Sequence, residues 1–182
     1  MKRYPIEIHG LFIAPEHRVF GKKDQDLQGT DLISKSEVQL VADTGIEGDR
    51  FFRHRPDYNG HVTFFSQEVW EEVVHVLGLS EPLGPELTRR NIILSGVDLK
   101  ALYGSPFQIN GIQFLGTVHC SPCPAMNQAI GEGATAALRG RGGLRAQIKS
   151  SGTLTIGKSV LSSEVSFDPA EAGTQPAQAK LP

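Results

Sequence analysis

The only two cysteines of this 182-residue chain stand together in His119-Cys120-Ser121-Pro122-Cys123. A thiolate is a nucleophile, a redox group or a soft metal ligand, and placing the whole cysteine supply in one CxxC marks this segment for chemistry. A structural zinc site usually needs four N/S ligands, and the chain has no second CxxC or HxxxH to complete one. A disulfide between cysteines three positions apart would close a tiny loop and constrain little of the unfolded chain. The remaining alternative is a pair of small, partly buried side chains without chemistry.

The histidines add less. His54, His61 and His119 lack ligand spacing, and isolated histidines of this kind usually serve as surface or hydrogen-bonded structural residues. His119 directly precedes Cys120, so an extended strand points the two apart, whereas a turn brings the ring toward Cys123. Arg139, Arg141 and Arg145 surround Gly140, Gly142 and Gly143, either as a source of positive potential for a phosphate or acidic partner or as a solvated loop.

Eighteen Lys and Arg against twenty Asp and Glu leave a net charge of -2, which offers no general attraction to nucleic acid or acidic membrane. The apolar stretch from Ile6 to Ala14 is interrupted by Glu7, His9 and Gly10 and is too short for a signal or a membrane span. With free thiols, this predicts a reducing, cytoplasmic setting. The length suits one domain with a proper core, and twenty glycines and eleven prolines argue against a helical bundle.

The elements that must position the cysteines are mostly strands. Runs 6–13, 37–42, 62–65, 90–94, 107–109, 112–118, 144–148, 154–156 and 160–165 read as β, and Asn110-Gly111 is the strongest hairpin signal. Ser66 is placed to N-cap one clear helix, with Val69, Trp70, Val73, Val74 and Leu77 on its apolar face and Gly78 stopping it. Residues 123–139 read as short helix and loop, and Gly21 to Thr30 as a surface loop. These strands predict a mostly β domain, a closed or nearly closed barrel with a few short helices over residues 1–167, with loops converging at one mouth. Residues 168–182 carry little to bury and read as a disordered tail.

Gly45-Ile46-Glu47-Gly48-Asp49-Arg50, Val62-Thr63-Phe64-Phe65-Ser66, Arg89-Arg90-Asn91-Ile92, Gly96-Val97-Asp98-Leu99, Cys120-Ser121-Pro122-Cys123 and Gly142-Gly143-Leu144 occur in the order of a known family. On these motifs the chain resembles the MOSC family, named for the C-terminal domain of molybdenum cofactor sulfurases, as a stand-alone single-domain member. The resemblance implies a β-barrel and a molybdopterin-type molybdenum cofactor, with Cys123 contacting molybdenum or carrying transferable sulfur and Cys120 supporting it. It also implies that Arg89 lies near the cofactor's phosphate. No desulfurase domain is present in these residues, so pyridoxal phosphate is not expected.

The residue chemistry agrees with that implication. Arg89 and Arg90 are candidates for charge-assisted bonds to an anion, and Asn91 for reading a ring or backbone edge. Strand alternation sends Arg89 to the pocket and Arg90 to solvent. Asp49 and Arg50 are candidates for ligand contact or for holding each other across a glycine turn. Gly45, Gly48, Gly142 and Gly143 are backbone devices that allow positive φ or close ligand approach.

Three functions compete. The first is a molybdenum-cofactor oxidoreductase acting on a small, for example N-hydroxylated, substrate. The second is a sulfur carrier or cofactor-delivery module that uses a Cys123 persulfide and a donor or acceptor protein. The third, a CxxC thiol-disulfide oxidoreductase, is disfavoured because this motif follows a β-hairpin instead of opening a βαβ unit.

Overall fold

β1 (Lys2–Ile13) shows how one local irregularity shapes the whole wall. Tyr4, Ile6 and Ile8 alternate inward while Arg3, Pro5 and Glu7 face out. The register against β6 (Ile92–Ser95) then slips between Ile8 and Gly10. One extra residue inverts the parity, so that Leu11 and Ile13 are the buried positions beyond the bulge. A Cβ at Gly10 would lie 2.6 Å from the Phe12 ring, so glycine is the residue that fits there.

The computed structural model describes residues 1–16, 32–55, 57–79 and 83–173. Seven strands close a barrel. β1 pairs with β11 (Gly157–Ser163), β11 with β7 (Pro106–Ile109), β7 with β8 (Ile112–His119), β8 with β9 (Leu144–Ile148) and β9 with β5 (Val62–Ser66), all antiparallel. β5 then runs parallel to β6, which returns to β1. β2 (Ile33–Lys35) extends from β1, and β3 (Glu37–Val41) joins β4 (Gly45–Ile46) and β10 (Gly152–Thr155) in a three-stranded side sheet. This is the mostly β closed barrel that the strand pattern predicts. The β7–β8 hairpin turns on Asn110 at φ 50° and Gly111 at φ 84°, the positive pair that such a turn requires.

β5 is apolar on both faces because both are covered. Phe64 points into the barrel, where its ring meets Phe107 and Phe114 edge-on at 5.6 and 5.5 Å, while Phe107 and Phe114 stack at 5.2 Å. Phe65 and Ile93 point outward into a second cluster with Val69, Trp70, Val73, Met126, Ile130, Ala134 and Leu138. These side chains come from α1 (Gln67–Leu77), α2 (Ala125–Ala129) and α3 (Ala134–Ala137). Ser66 caps α1 by accepting the Val69 N–H at 3.1 Å, and Gly78 ends it at φ 61°.

Two expectations change, one before β6 and one near the C-terminus. The strand expected over 90–94 begins only at Ile92. Of the segment expected to be a tail, residues 168–173 fold: Asp168 caps a 3-10 turn at Pro169–Glu171, Ala172 is buried, and Gly173 packs on Glu68 and Val69 of α1. Small residues accomplish this, since close approach to a helix N-terminus needs no large apolar side chain. Residues 174–182, and the loop expected at 21–30, lie outside the described residues.

Phe114→Ala should cost about 3–5 kcal/mol in urea unfolding, because it opens a cavity among three mutually packed rings. A chain ending at Phe167 should melt a few degrees below one ending at Gly173, the shift that losing about 1 kcal/mol produces in a domain of this size. Equal melting temperatures would show that the 168–173 turn contributes nothing.

Candidate functional site

The pairing register gathers the cysteine segment. Ile92, Phe64, Leu144 and His119 are successive partners across β6, β5, β9 and β8. The chain leaves the barrel next to this row three times, at residues 88–91, at 142–143 and at 120–123. Segments remote in sequence flank this row, and the Arg90 side chain joins the first to the other two.

There the two cysteines differ. Cys120 is buried and Cys123 half-buried, packed at the edge of the helical cluster, and both are free thiols. Cys120 N–H donates to the Gly143 carbonyl at 2.8 Å, and the Cys123 carbonyl accepts from Met126 N–H at 2.9 Å and Thr135 Oγ1 at 3.1 Å. Glycine is required opposite. A Cβ at Gly142 would stand 2.4 Å from the Cys120 carbonyl oxygen, and one at Gly143, where φ is 107°, would stand 2.2 Å from the Phe64 oxygen.

The arginine pair reverses the expected orientation. Neither residue lies in a strand: Arg89 adopts φ 60° at the end of the 3-10 turn Pro85–Thr88, so alternation does not apply. Arg90, expected in solvent, is 7% exposed. Its Nε donates to the Gly142 carbonyl at 2.9 Å, Nη1 to Thr88 at 2.5 Å, and Nη2 to Cys120 at 3.2 Å and Ser121 at 3.4 Å. Burial pulls its pKa down from the ordinary value, opposed by Cys120 and Cys123 and aided by Arg145 and Arg50. Those four residues thus lie within its electrostatic reach.

Asn91 and Asp49, expected as ligand contacts, are occupied by the protein. Asn91 Oδ1 accepts from Thr63 N–H at 3.1 Å and Thr63 Oγ1 at 2.8 Å, while Nδ2 donates to the Phe12 carbonyl and to Asp49 Oδ2, both at 3.1 Å. Asp49 also accepts from the Ala14 and Phe51 N–H groups at 3.0 Å. Together they tie β1, β5 and the 45–50 turn into one hydrogen-bonded knot. Arg50 does not close onto Asp49; its guanidinium lies over the Phe51 ring, 4.9 Å from the centroid.

Around the rim, Phe51 stacks on Tyr58 at 5.1 Å, Arg55 covers Tyr58, and Arg145 Nη1 donates to the Tyr58 hydroxyl at 3.3 Å. Sequence reasoning missed Tyr58 and Phe51. The alternation of aromatic and basic residues from Arg50 to Tyr58 was the available signal. Arg141 leaves the expected basic loop altogether: it is buried in an ion pair with Glu72 and donates to the Ala137 carbonyl at 2.9 Å.

Two imidazoles are held neutral. His119 Nε2 accepts the Gly142 N–H at 3.1 Å, which leaves the proton on Nδ1, 3.3 Å from Ser121 Oγ. Burial, with Arg90 and Lys100 nearby, lowers its pKa. His61, 1% exposed, accepts Ile148 N–H on Nδ1 at 3.3 Å, and its buried Nε2–H has only loose engagement from the Arg55 backbone. Burial lowers its pKa as well. The unfolded chain therefore takes up these protons near pH 6.5, before the folded chain does, and stability should fall as pH drops below that value while staying flat above it. Urea titrations at pH 7.5 and 5 should show a smaller loss for His119→Gln than for the unchanged chain. An identical loss would refute the assignment.

A separate cavity borders Gly143, lined by Ser66, Val69, Val97, Leu99 and Tyr103 and bounded by Glu171 and Gly173; neither cysteine reaches it. Burial raises the Tyr103 phenol above its ordinary pKa, and Asp98 and Cys120 add to the effect.

Comparison with known proteins agrees with this architecture. The chain superposes on the YuaD protein of Bacillus subtilis with TM-score 0.64, 19% identity, and coverage of 88% of this chain and 96% of that one. On YiiM of Escherichia coli the values are 0.61, 18%, 98% and 81%, and on YiiM of Geobacillus stearothermophilus 0.59, 13%, 86% and 75%. No curated protein sequence matches significantly. The sequence model of the MOSC domain matches residues 52–161, more than half the chain, and so spans Tyr58, the cysteine loop and β9. The chain belongs to the MOSC domain family, which is associated with molybdenum cofactor binding.

Proposed function

We propose that the protein binds a pterin-type molybdenum cofactor at the barrel mouth, with Cys123 as thiolate ligand, and is an oxidoreductase for a small substrate such as an N-hydroxylated base. The observation that carries this reading is a free, half-buried Cys123 thiol within the electrostatic reach of Arg90, a reach that also takes in Arg50 and Arg145.

The donor set fits such a group. Thiolate is a soft ligand, and among the described residues no three His, Cys, Asp or Glu side chains converge as a metal cage. Cys123 would thus contribute one bond, with the pterin dithiolene contributing others. Bound there, the cofactor supplies two-electron redox chemistry.

The chain's own residues supply position and charge. Arg89, which the resemblance assigns to the phosphate, and Arg50 on the rim are the arginines offered to the anion. Phe51 and Tyr58 build an aromatic wall beneath Arg50 and Arg55. Neutral His119, bonded to Gly142 and Ser121, holds the cysteine loop and keeps its Nδ1 proton.

Protein purified from a host that makes the cofactor should carry molybdenum by elemental analysis and pterin by fluorescence. Cys123→Ser should lose at least about tenfold of the metal, the loss of a strong bond that costs more than 1.4 kcal/mol, while Cys120→Ser retains it. Arg89→Ala should weaken cofactor binding about ten- to a hundredfold through one lost charge-assisted contact. Metal retained in Cys123→Ser would sink the ligand assignment. Sulfane sulfur on Cys123 without molybdenum would make the protein a carrier.

A further inference from the structure

We propose that Arg90 is a positioning residue for the Cys123 thiol: its guanidinium fixes the 120–122 segment against Gly142 and takes no part in binding an anion. The inference rests on Cys123 being the reacting thiol.

Three observations carry it. First, the Arg90 donors already reach four carbonyl oxygens, those of Thr88, Gly142, Cys120 and Ser121. Turning the side chain toward a phosphate would leave buried carbonyls without their donors. Second, those acceptors lie on three separate segments, so the guanidinium acts as a cross-link between them. Gly142 is gripped on both sides, its carbonyl by Arg90 and its N–H by His119 Nε2 at 3.1 Å. Third, the contact is too close for any other residue at position 142, where a Cβ would also stand 3.1 Å from Pro122 Cδ.

The consequence reaches Cys123 through a short path. Cys120 is pinned by its N–H to Gly143 and by its carbonyl to Arg90, and the Cys123 carbonyl is pinned by Met126 and Thr135. Only Ser121 and Pro122 lie between, and the proline ring fixes one of their torsions. The backbone that presents the Cys123 thiol is therefore set from both ends. Lysine cannot replace the clamp, because an ammonium on a flexible stem lacks the planar fork that spans these acceptors.

The test uses the full chain without cofactor. In the unsubstituted protein, amide hydrogen exchange at Cys120 and Gly142 should be slowed roughly a thousandfold or more relative to an unstructured peptide, the behaviour of a closed structural unit. Arg90→Lys should speed both amides about ten- to a hundredfold. In a Cys120→Ser background it should also change the rate of Cys123 alkylation by iodoacetamide at least about threefold, through altered thiol access. Affinity for inorganic phosphate should stay as it was, since the lysine keeps a charge and the native arginine is not offered to the anion. Gly142→Ala breaks the same contact with no change of charge and should reproduce the alkylation change. Unprotected amides in the unsubstituted chain overturn the clamp, whatever the variants do. So does Arg90→Lys with unchanged exchange and alkylation, or with phosphate affinity alone reduced. Molybdenum retained in Cys123→Ser, alongside a loosened loop in Arg90→Lys, would remove the functional reading and leave the clamp standing.

Discussion

A guanidinium stays charged at any ordinary pH, so a fold that withdraws one from water must ring it with acceptors. Arg90 imposes that constraint here. Its acceptors belong to the turn before β6, the loop after β8 and the glycine pair before β9, and none of these segments can move without exposing the others' carbonyls. Breaking a buried charged interaction by removing one partner costs about 3–5 kcal/mol. Whole domains are stable by only about 5–15 kcal/mol. The geometry of the cysteine loop is thus coupled to the stability of the barrel, which keeps a half-exposed thiol in place without burying it.

One departure from antiparallel order sets where the turn before β6 lies and what the Arg90 side chain must span. β5 and β6 run parallel and are joined across α1, so the approach to β6 comes from the end at which β5 begins. That approach is Arg89-Arg90-Asn91. β9 is antiparallel to β5, so its glycines and the loop after β8 lie toward the other end of β5, and the long Arg90 side chain spans the row to reach them. Asn91 locks the corner by bonding Thr63 on β5, Phe12 on β1 and Asp49 in the turn beyond β4. A side chain with two donors and an acceptor oxygen is suited to such a three-way junction, and an anion would compete poorly for groups already paired in place.

Legibility in the sequence followed the range of the interactions. The β7–β8 hairpin, β9, and α1 with its caps were legible because alternation, Asn-Gly and Ser66 act within a few residues. β2 was not, since all three of its residues are exposed and carry no alternation. The bulge at Gly10 was hidden because it depends on the partner strand. At the site, Cys120-Ser121-Pro122-Cys123 and its glycines were legible as a pattern, but the roles of the arginines were not. Arg89 takes a left-handed conformation that non-glycine residues seldom adopt, and this shifts Arg90 from the outward position predicted by alternation to a buried one. Gly173 against α1 was equally invisible, because close packing of a glycine leaves no apolar signal.

The arginines near the mouth divide by what surrounds them. Arg90 and Arg141 are buried, one among carbonyls and the other on Glu72, so their charge is already answered by the protein. Arg50 and Arg55 instead lie over the rings of Phe51 and Tyr58. Stacking uses the guanidinium face and leaves its N–H edge directed elsewhere, so a stacked arginine is held in place while still able to donate in plane. In the proposed reading, an anion at this mouth would be met by the stacked rim together with Arg89, and the thiol would be presented by the buried clamp. Such a separation would let the rim vary with the ligand while the cysteine loop stays fixed.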